Sequence, residues 1–203
     1  MPPPKADTPA FLVVAGPNGS GKSSVYENAD LEAFGRSVWI INPDLLTARI
    51  REIEKLDTET ANIAAVNRIE AWLDASIEVH KTIGVETVLS TPKYRRLVVK
   101  AKERGFAIWL IYVLLDSPER NIERVRLRVK KGGHFVPEDK IRTRYTRSLD
   151  QLPWFLDQAD RGWIYNNSGA EPKLVAEKQN GIITLSEDAL PIVVQKIQSI
   201  KTG

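Results

Sequence analysis

The chain contains no cysteine. That single absence excludes a disulfide framework, a thiolate nucleophile and a cysteine-held zinc. Histidine is almost as scarce, with only His80 and His134, far apart in sequence, which argues against a histidine-rich metal centre. No apolar run approaches the roughly 20 residues a membrane-spanning helix needs, so no membrane partner is expected. The first nine residues, Met1 to Pro9, are proline-rich and polar and lack the apolar stretch of a secretory signal. They read as a disordered leader, with residues 10–203 as one domain and the cytoplasm as its compartment. Net charge is a modest +3, and 42% hydrophobic with 27% charged residues are ordinary globular values. A chain of 203 residues is long enough to bury a proper α/β core.

What is present is organised. Phe11-Leu-Val-Val-Ala15 is a short continuous apolar run, the pattern of a parallel strand buried on both faces. Val38 to Ile41, Val85 to Leu89 and Ala107 to Leu115 read as further strands, the last being the most hydrophobic. Helix-compatible stretches alternate with them: from Lys22, from Asp57 to Lys81, from Arg95 to a stop at Gly105, and from Pro118 to Lys131. Pro137 opens another helix, with Glu138 and Asp139 in its positive first turn. Trp163 to Tyr165, Leu174 to Ala176 and Ile182 to Leu185 read as strands, and a helix from about Asp188 closes the chain. Strands alternating with helices predict a three-layer α/β fold around a mostly parallel sheet.

The turn after the first strand, Gly16-Pro17-Asn18-Gly19-Ser20-Gly21-Lys22-Ser23, matches the phosphate-binding pattern G-x-x-x-x-G-K-[ST] at every fixed position, and Ser24 follows it. Its glycines let successive backbone N–H groups converge on one anion, and the helix behind aims its positive end at the same point. Lys22 is expected to reach the β- and γ-phosphates of ATP, and the Ser23 hydroxyl to ligate Mg²⁺.

A phosphate loop does not specify a reaction. The chain has no N-K-x-D run for reading guanine, and its long strand ends Leu114-Leu115-Asp116-Ser117, without a glutamate to position a hydrolytic water. A small-molecule kinase needs an acceptor-activating carboxylate and a basic lid. Asp44 follows the second strand, where open α/β sheets place their ligand crevice. It could serve as a base or merely cap a helix after Pro43. Glu86, on the third strand, is either a ligand-facing carboxylate or a solvated residue of an edge strand. From Arg120 to Arg147 ten Lys or Arg stand against three acids; Arg120, Arg124, Arg128 and Lys131 form one helical stripe, with Ile122, Val125 and Val129 opposite. Gly132-Gly-His134 then reads as a hinge leading to Arg142, Arg144 and Arg147, so residues of about 119–150 are expected to form the lid. A basic block also suits nucleic acid. Only Phe135 and Tyr145 interrupt it as aromatics, which ranks a nucleic-acid-associated ATPase below a kinase. A nucleotide-dependent interaction module without chemistry is a third reading.

The ordered set Ala15-Gly-Pro-Asn-Gly-Ser-Gly-Lys-Ser23, Ile41-Asn-Pro-Asp44, Glu86-Thr-Val-Leu-Ser90, Gly132-Gly-His-Phe-Val-Pro137, Arg144-Tyr-Thr-Arg-Ser-Leu149 and Tyr165-Asn-Asn-Ser-Gly169 resembles the zeta-toxin family of P-loop kinases. It is similar in particular to a shorter branch labelled predicted ABC-type ATPases. The resemblance implies a single P-loop kinase-like domain, ATP and Mg²⁺ as cofactors, and a small-molecule acceptor, since zeta toxins phosphorylate UDP-N-acetylglucosamine. It implies Asp44 as base and Lys22, Arg128 and Arg144 as catalytic cations, with Arg124 on the nucleotide. Asn42, Glu86, Thr87 and His134 would contact the acceptor, and an antitoxin protein would be a partner.

Overall fold

The computed structural model describes residues 8–28 and 38–200, without the side chains of 26–28, so most of the expected leader and the chain between the first helix and Val38 lie outside the described residues. In chain order the described elements are β1 (Ala10–Ala15), α1 (Lys22–Asn28), β2 (Ile40–Ile41), α2 (Pro43–Glu54), α3 (Thr58–Glu78), β3 (Ile83–Thr87) and α4 (Arg95–Glu103). There follow β4 (Ala107–Leu114), α5 (Pro118–Lys130), α6 (Glu138–Gln158), β5 (Arg161–Asn166), β6 (Lys173–Gln179), β7 (Ile182–Leu185) and α7 (Pro191–Gln198).

The strands form one sheet in the order β2-β3-β1-β4-β5-β6-β7. Pairing is parallel from β2 through β5 and antiparallel from β5 to β7, which makes the sheet mostly parallel, as expected. β1 and β4 are buried along their whole length because both faces are covered. Phe11, Val13 and Ala15 pack with α3, α4, α6 and α7 through Ile69, Leu73, Leu97, Leu152 and Val193. The alternate residues Leu12 and Val14 face the other way, with Val25 of α1. Alternation along one strand thus feeds two helical layers.

Three departures from the sequence reading bear on the site. The third strand starts two residues earlier and stops at Thr87, because Thr87 Oγ1 accepts the Leu89 N–H and Leu89 takes a left-handed φ of 57°. Residues 43–54 form a helix whose N-cap is Asn42; its Oδ1 accepts from the N–H groups of Asp44 (2.9 Å) and Leu45 (3.2 Å). Asp44 is therefore a first-turn residue and not the cap. Finally, α6 runs on to Gln158 and is tied into the main core. Leu149, Leu152, Phe155 and Leu156 are buried there, Tyr145 donates to Leu115 O, and Tyr112 and Ser148 share a buried hydrogen bond. The second half of the expected lid is a fixed wall.

Candidate functional site

The sheet register builds the site. Val14 and Ala15 at the end of β1 stand beside Glu86 and Thr87 of β3, and Ile41 of β2 stands beside Val85. One further step in register puts Asn42 against Glu86. Asn42 Nδ2 donates to Glu86 Oε2 at 3.0 Å, while the same side chain caps α2. A single amide thus fixes both carboxylates of the region: it holds Glu86 directly and sets Asp44 in the positive first turn of α2. β3 is flanked by β2 and β1, so Glu86 is not on an edge strand in water.

The phosphate loop closes behind these groups. Gly16, Gly19 and Gly21 have φ of 143°, 78° and 86°, values that only glycine adopts readily. A Cβ on Gly16 would meet Val113 O at 2.0 Å, so β4 backbone leaves room for nothing larger. Buried Lys22 folds its ammonium onto its own loop, donating to Gly16 O (2.9 Å) and Pro17 O (3.2 Å), with Glu86 Oε1 at 3.8 Å. Burial pushes its pKa below the ordinary lysine value; Glu86 and then Asp44 oppose the fall, and Arg128 adds to it. Ser23 Oγ donates to Glu86 Oε2 at 3.1 Å. Ser20 is buried, and its hydroxyl is without a partner. Ser24 sits exposed on α1.

A cavity of about 240 Å³ opens in front of the loop, and Lys22, Asp44, Glu86, Thr87, Arg128 and Arg144 all line it. The two arginines arrive from different helices. Arg144 Nη1 donates to Asn18 Oδ1 (3.2 Å), which anchors α6 to the loop. Arg128 Nη2 donates to His134 O (3.1 Å), and a Cβ on Gly133 would fall 2.5 Å from Arg128 Cγ. The Gly-Gly-His segment is thus a backbone seat for Arg128. His134 itself lines a neighbouring cavity of about 420 Å³ with Arg51, Asn62 and Asp44, so Asp44 stands between the two spaces. Arg124 stands outside this cavity but against the phosphate loop: its Nη2 donates to Asn167 O at 2.7 Å, and a Cβ on Gly21 would lie 3.5 Å from its Nη1. Sequence reasoning missed Ser90, Lys93 and Tyr94, which also line the first cavity; their place just after β3, at the carboxyl end of the sheet, was the available signal.

Among the described residues no group of three or more His, Cys, Asp or Glu is placed to hold a metal. The bonded Ser23 hydroxyl and Glu86 carboxylate nonetheless fit Mg²⁺, which takes one or two protein oxygens and completes its octahedron with phosphates and water.

The family model for zeta toxins matches residues 2–171. The chain belongs to the zeta toxin family. A curated protein of Haemophilus influenzae, described only as uncharacterized, is 31% identical over 136 residues, covering 66% of this chain and 91% of that one. Among solved structures, AvrRxo1-ORF1:-ORF2 with ATP superposes with a TM-score of 0.71 at 15% identity. The match covers 96% of this chain but only 64% of that one, so this chain spans under two thirds of that relative. The toxin–antitoxin system PezAT of Streptococcus pneumoniae gives a TM-score of 0.66 at 16% identity, covering 98% of this chain and 85% of that one. At these identities the likeness concerns the fold alone. No helix among the described residues is long and apolar enough to cross a membrane.

Proposed function

We propose that this zeta-toxin family member is an ATP- and Mg²⁺-dependent kinase that transfers the γ-phosphate to a hydroxyl of a small acceptor, with nucleotide sugars as the first class to test. One observation carries the reading: Lys22, Arg128 and Arg144 share a single cavity with the carboxylates of Asp44 and Glu86. Three fixed cations suit the charge of a transferring phosphoryl group, and exposed Asp44 suits an acceptor that must give up a proton. When bound, Mg²⁺ neutralises phosphate charge; Ser23 would hold it, with Glu86 behind the hydroxyl. Asp44 takes the acceptor's proton as the acceptor oxygen bonds to the γ-phosphorus and the bond to the ADP oxygen breaks. Lys22, Arg128 and Arg144 stabilise the charge that develops. The adjoining cavity with Asn62 and His134 would receive the rest of the acceptor.

Much of the basic block is already engaged, which supports a small acceptor over nucleic acid. Arg120 pairs with Asp116, Arg126 with Glu138 and Arg142 with Glu119. An antitoxin-like protein partner and a cytoplasmic location complete the proposal, as the family and the PezAT likeness suggest. The test is incubation with γ-labelled ATP and a pool of nucleotide sugars and nucleosides, followed by mass analysis of labelled products. Lys22→Ala is expected to abolish turnover, and Asp44→Asn to keep ATP binding while losing transfer. Normal transfer by Asp44→Asn would remove Asp44 as base.

A further inference from the structure

We propose that Asn121 and Asn167 are positioning residues that orient the peptide planes of the phosphate loop for anion binding; the inference rests on the reading of that loop as a nucleotide site. Both side chains are buried. Asn121, on α5, donates from Nδ2 to Asn18 O at 2.6 Å. Asn167, just past β5, donates from Nδ2 to Ser20 O at 2.8 Å. They therefore hold two carbonyls of the loop, one on each side of the Gly19–Ser20 pair.

A trans peptide is planar, so its C=O and the N–H of the next residue point in opposite directions. There are no cis bonds among the described residues. Drawing Asn18 O toward α5 turns the Gly19 N–H away from α5, and drawing Ser20 O toward Asn167 turns the Gly21 N–H away from that side chain. Gly19 lines the cavity shared by Lys22, Arg128 and Arg144. With φ of 78° and 86°, Gly19 and Gly21 supply the left-handed steps from which N–H groups converge into an anion nest.

The packing agrees. A Cβ on Gly19 would lie 2.7 Å from the main-chain oxygen of Asn121, and one on Gly21 would lie 2.3 Å from Asn167 Nδ2. Each glycine lies against the asparagine that orients the peptide before it. Asn167 is itself fixed from two sides, its N–H donating to Leu114 O at 2.9 Å and its carbonyl accepting from Arg124 Nη2. The nest is thereby held in shape before any anion arrives, which spares the cost of ordering it on binding.

The experiment compares ADP and AMP binding, with magnesium, in the wild type and in Asn121→Ser and Asn167→Ser, whose shorter side chains fall short of the loop carbonyls. The preference for ADP over AMP is expected to drop at least tenfold in each variant. Asn121→Asp and Asn167→Asp, of the same size but without the amide donor, are expected to lose at least as much. In the wild type the Gly19 and Gly21 amide resonances should be among those most shifted by ADP, a readout independent of how any variant folds. Variants that keep the full preference, or Gly19 and Gly21 amides that ignore bound ADP, would overturn the proposal while leaving the nucleotide site intact. A wild type that binds neither ADP nor ATP would sink the nucleotide reading and this inference with it.

Discussion

The arginine stripe of α5 divides into two halves that do different things. Arg120 and Arg124, near the start of the helix, donate to Ser168 O and Asn167 O and so fasten α5 to the β5–β6 turn. Arg128, one turn further on, points its guanidinium at the cavity beside Arg144, which belongs to another helix. Arg120, Arg124 and Arg128 look alike as a sequence and share one face of α5. Periodicity can assign a face, but the neighbour that the face meets changes along its length.

The sharpest way to break this comparison is to truncate the two halves separately. Arg128→Ala and Arg144→Ala are each expected to lower phosphoryl transfer about 10²- to 10³-fold, the usual cost of removing one donor to developing charge, with little change in unfolding midpoint. Steady-state kinetics beside thermal unfolding would check it. If Arg124→Ala were the most damaging to catalysis, the division would be wrong.

A smaller effect is expected at the turn that seats Arg128. Gly133→Ala would push against Arg128 Cγ and should reduce transfer roughly tenfold by misplacing the guanidinium, which corresponds to about 1.4 kcal/mol of barrier. Gly132→Ala meets open space but must take a φ of 86°, so it should cost about 1 kcal/mol of stability and leave kcat nearly unchanged. Denaturant titration against kcat separates the two.

Below that come the fastening arginines. Arg120→Ala and Arg124→Ala each remove one charged donor from a carbonyl and should cost about 1 kcal/mol or less at these partly exposed sites, with transfer at saturating ATP within a few-fold of wild type.

The smallest expected signal is a pH dependence at Lys22. Its folded pKa lies below its ordinary value, so the folded state disfavours the charged form. The protein without nucleotide should gain stability as pH rises through that depressed value toward the unfolded value near 10.5. Lys22→Met should lack this gain, so the difference in melting temperature between the two proteins should shift in favour of wild type as pH increases. A difference constant with pH would contradict the direction of the shift.

Much of the fold was legible because burial on both faces and helical amphipathicity leave strong local patterns. The strand at residues 11–15, the phosphate loop and the helix stops at Gly105 and Gly132 belong to that class. The helix from Pro43 to Glu54 enters the sequence reading only as an alternative in which Asp44 caps it, because it lacks a continuous apolar stripe: among its residues only Ile50 is buried. The helix at 138–158 was foreseen at its start but not its length, since Pro153 lies inside it and argues locally for an end that core packing overrides. At the site, Lys22, Asp44, Glu86, Thr87, Arg128 and Arg144 are nameable from motifs and do converge, whereas Arg124 shares a separate cavity with Arg128 beside the phosphate loop and His134 lines the space beyond Asp44. Asn121 gave no local signal, because a lone asparagine in a charged helix looks like a solvated residue until its depth is known.

The sequence by itself determined the phosphate loop, its strand and the helix behind it, because glycine φ freedom, strand burial and the helix terminus are properties of consecutive residues. Only the tertiary structure decided which arginine faces the cavity, that Asn42 binds Glu86 while capping the helix of Asp44, and that two buried asparagines hold the loop. Those roles depend on strand order and helix depth, which bring residues separated by tens of positions to within a hydrogen bond, and no local pattern encodes such distances.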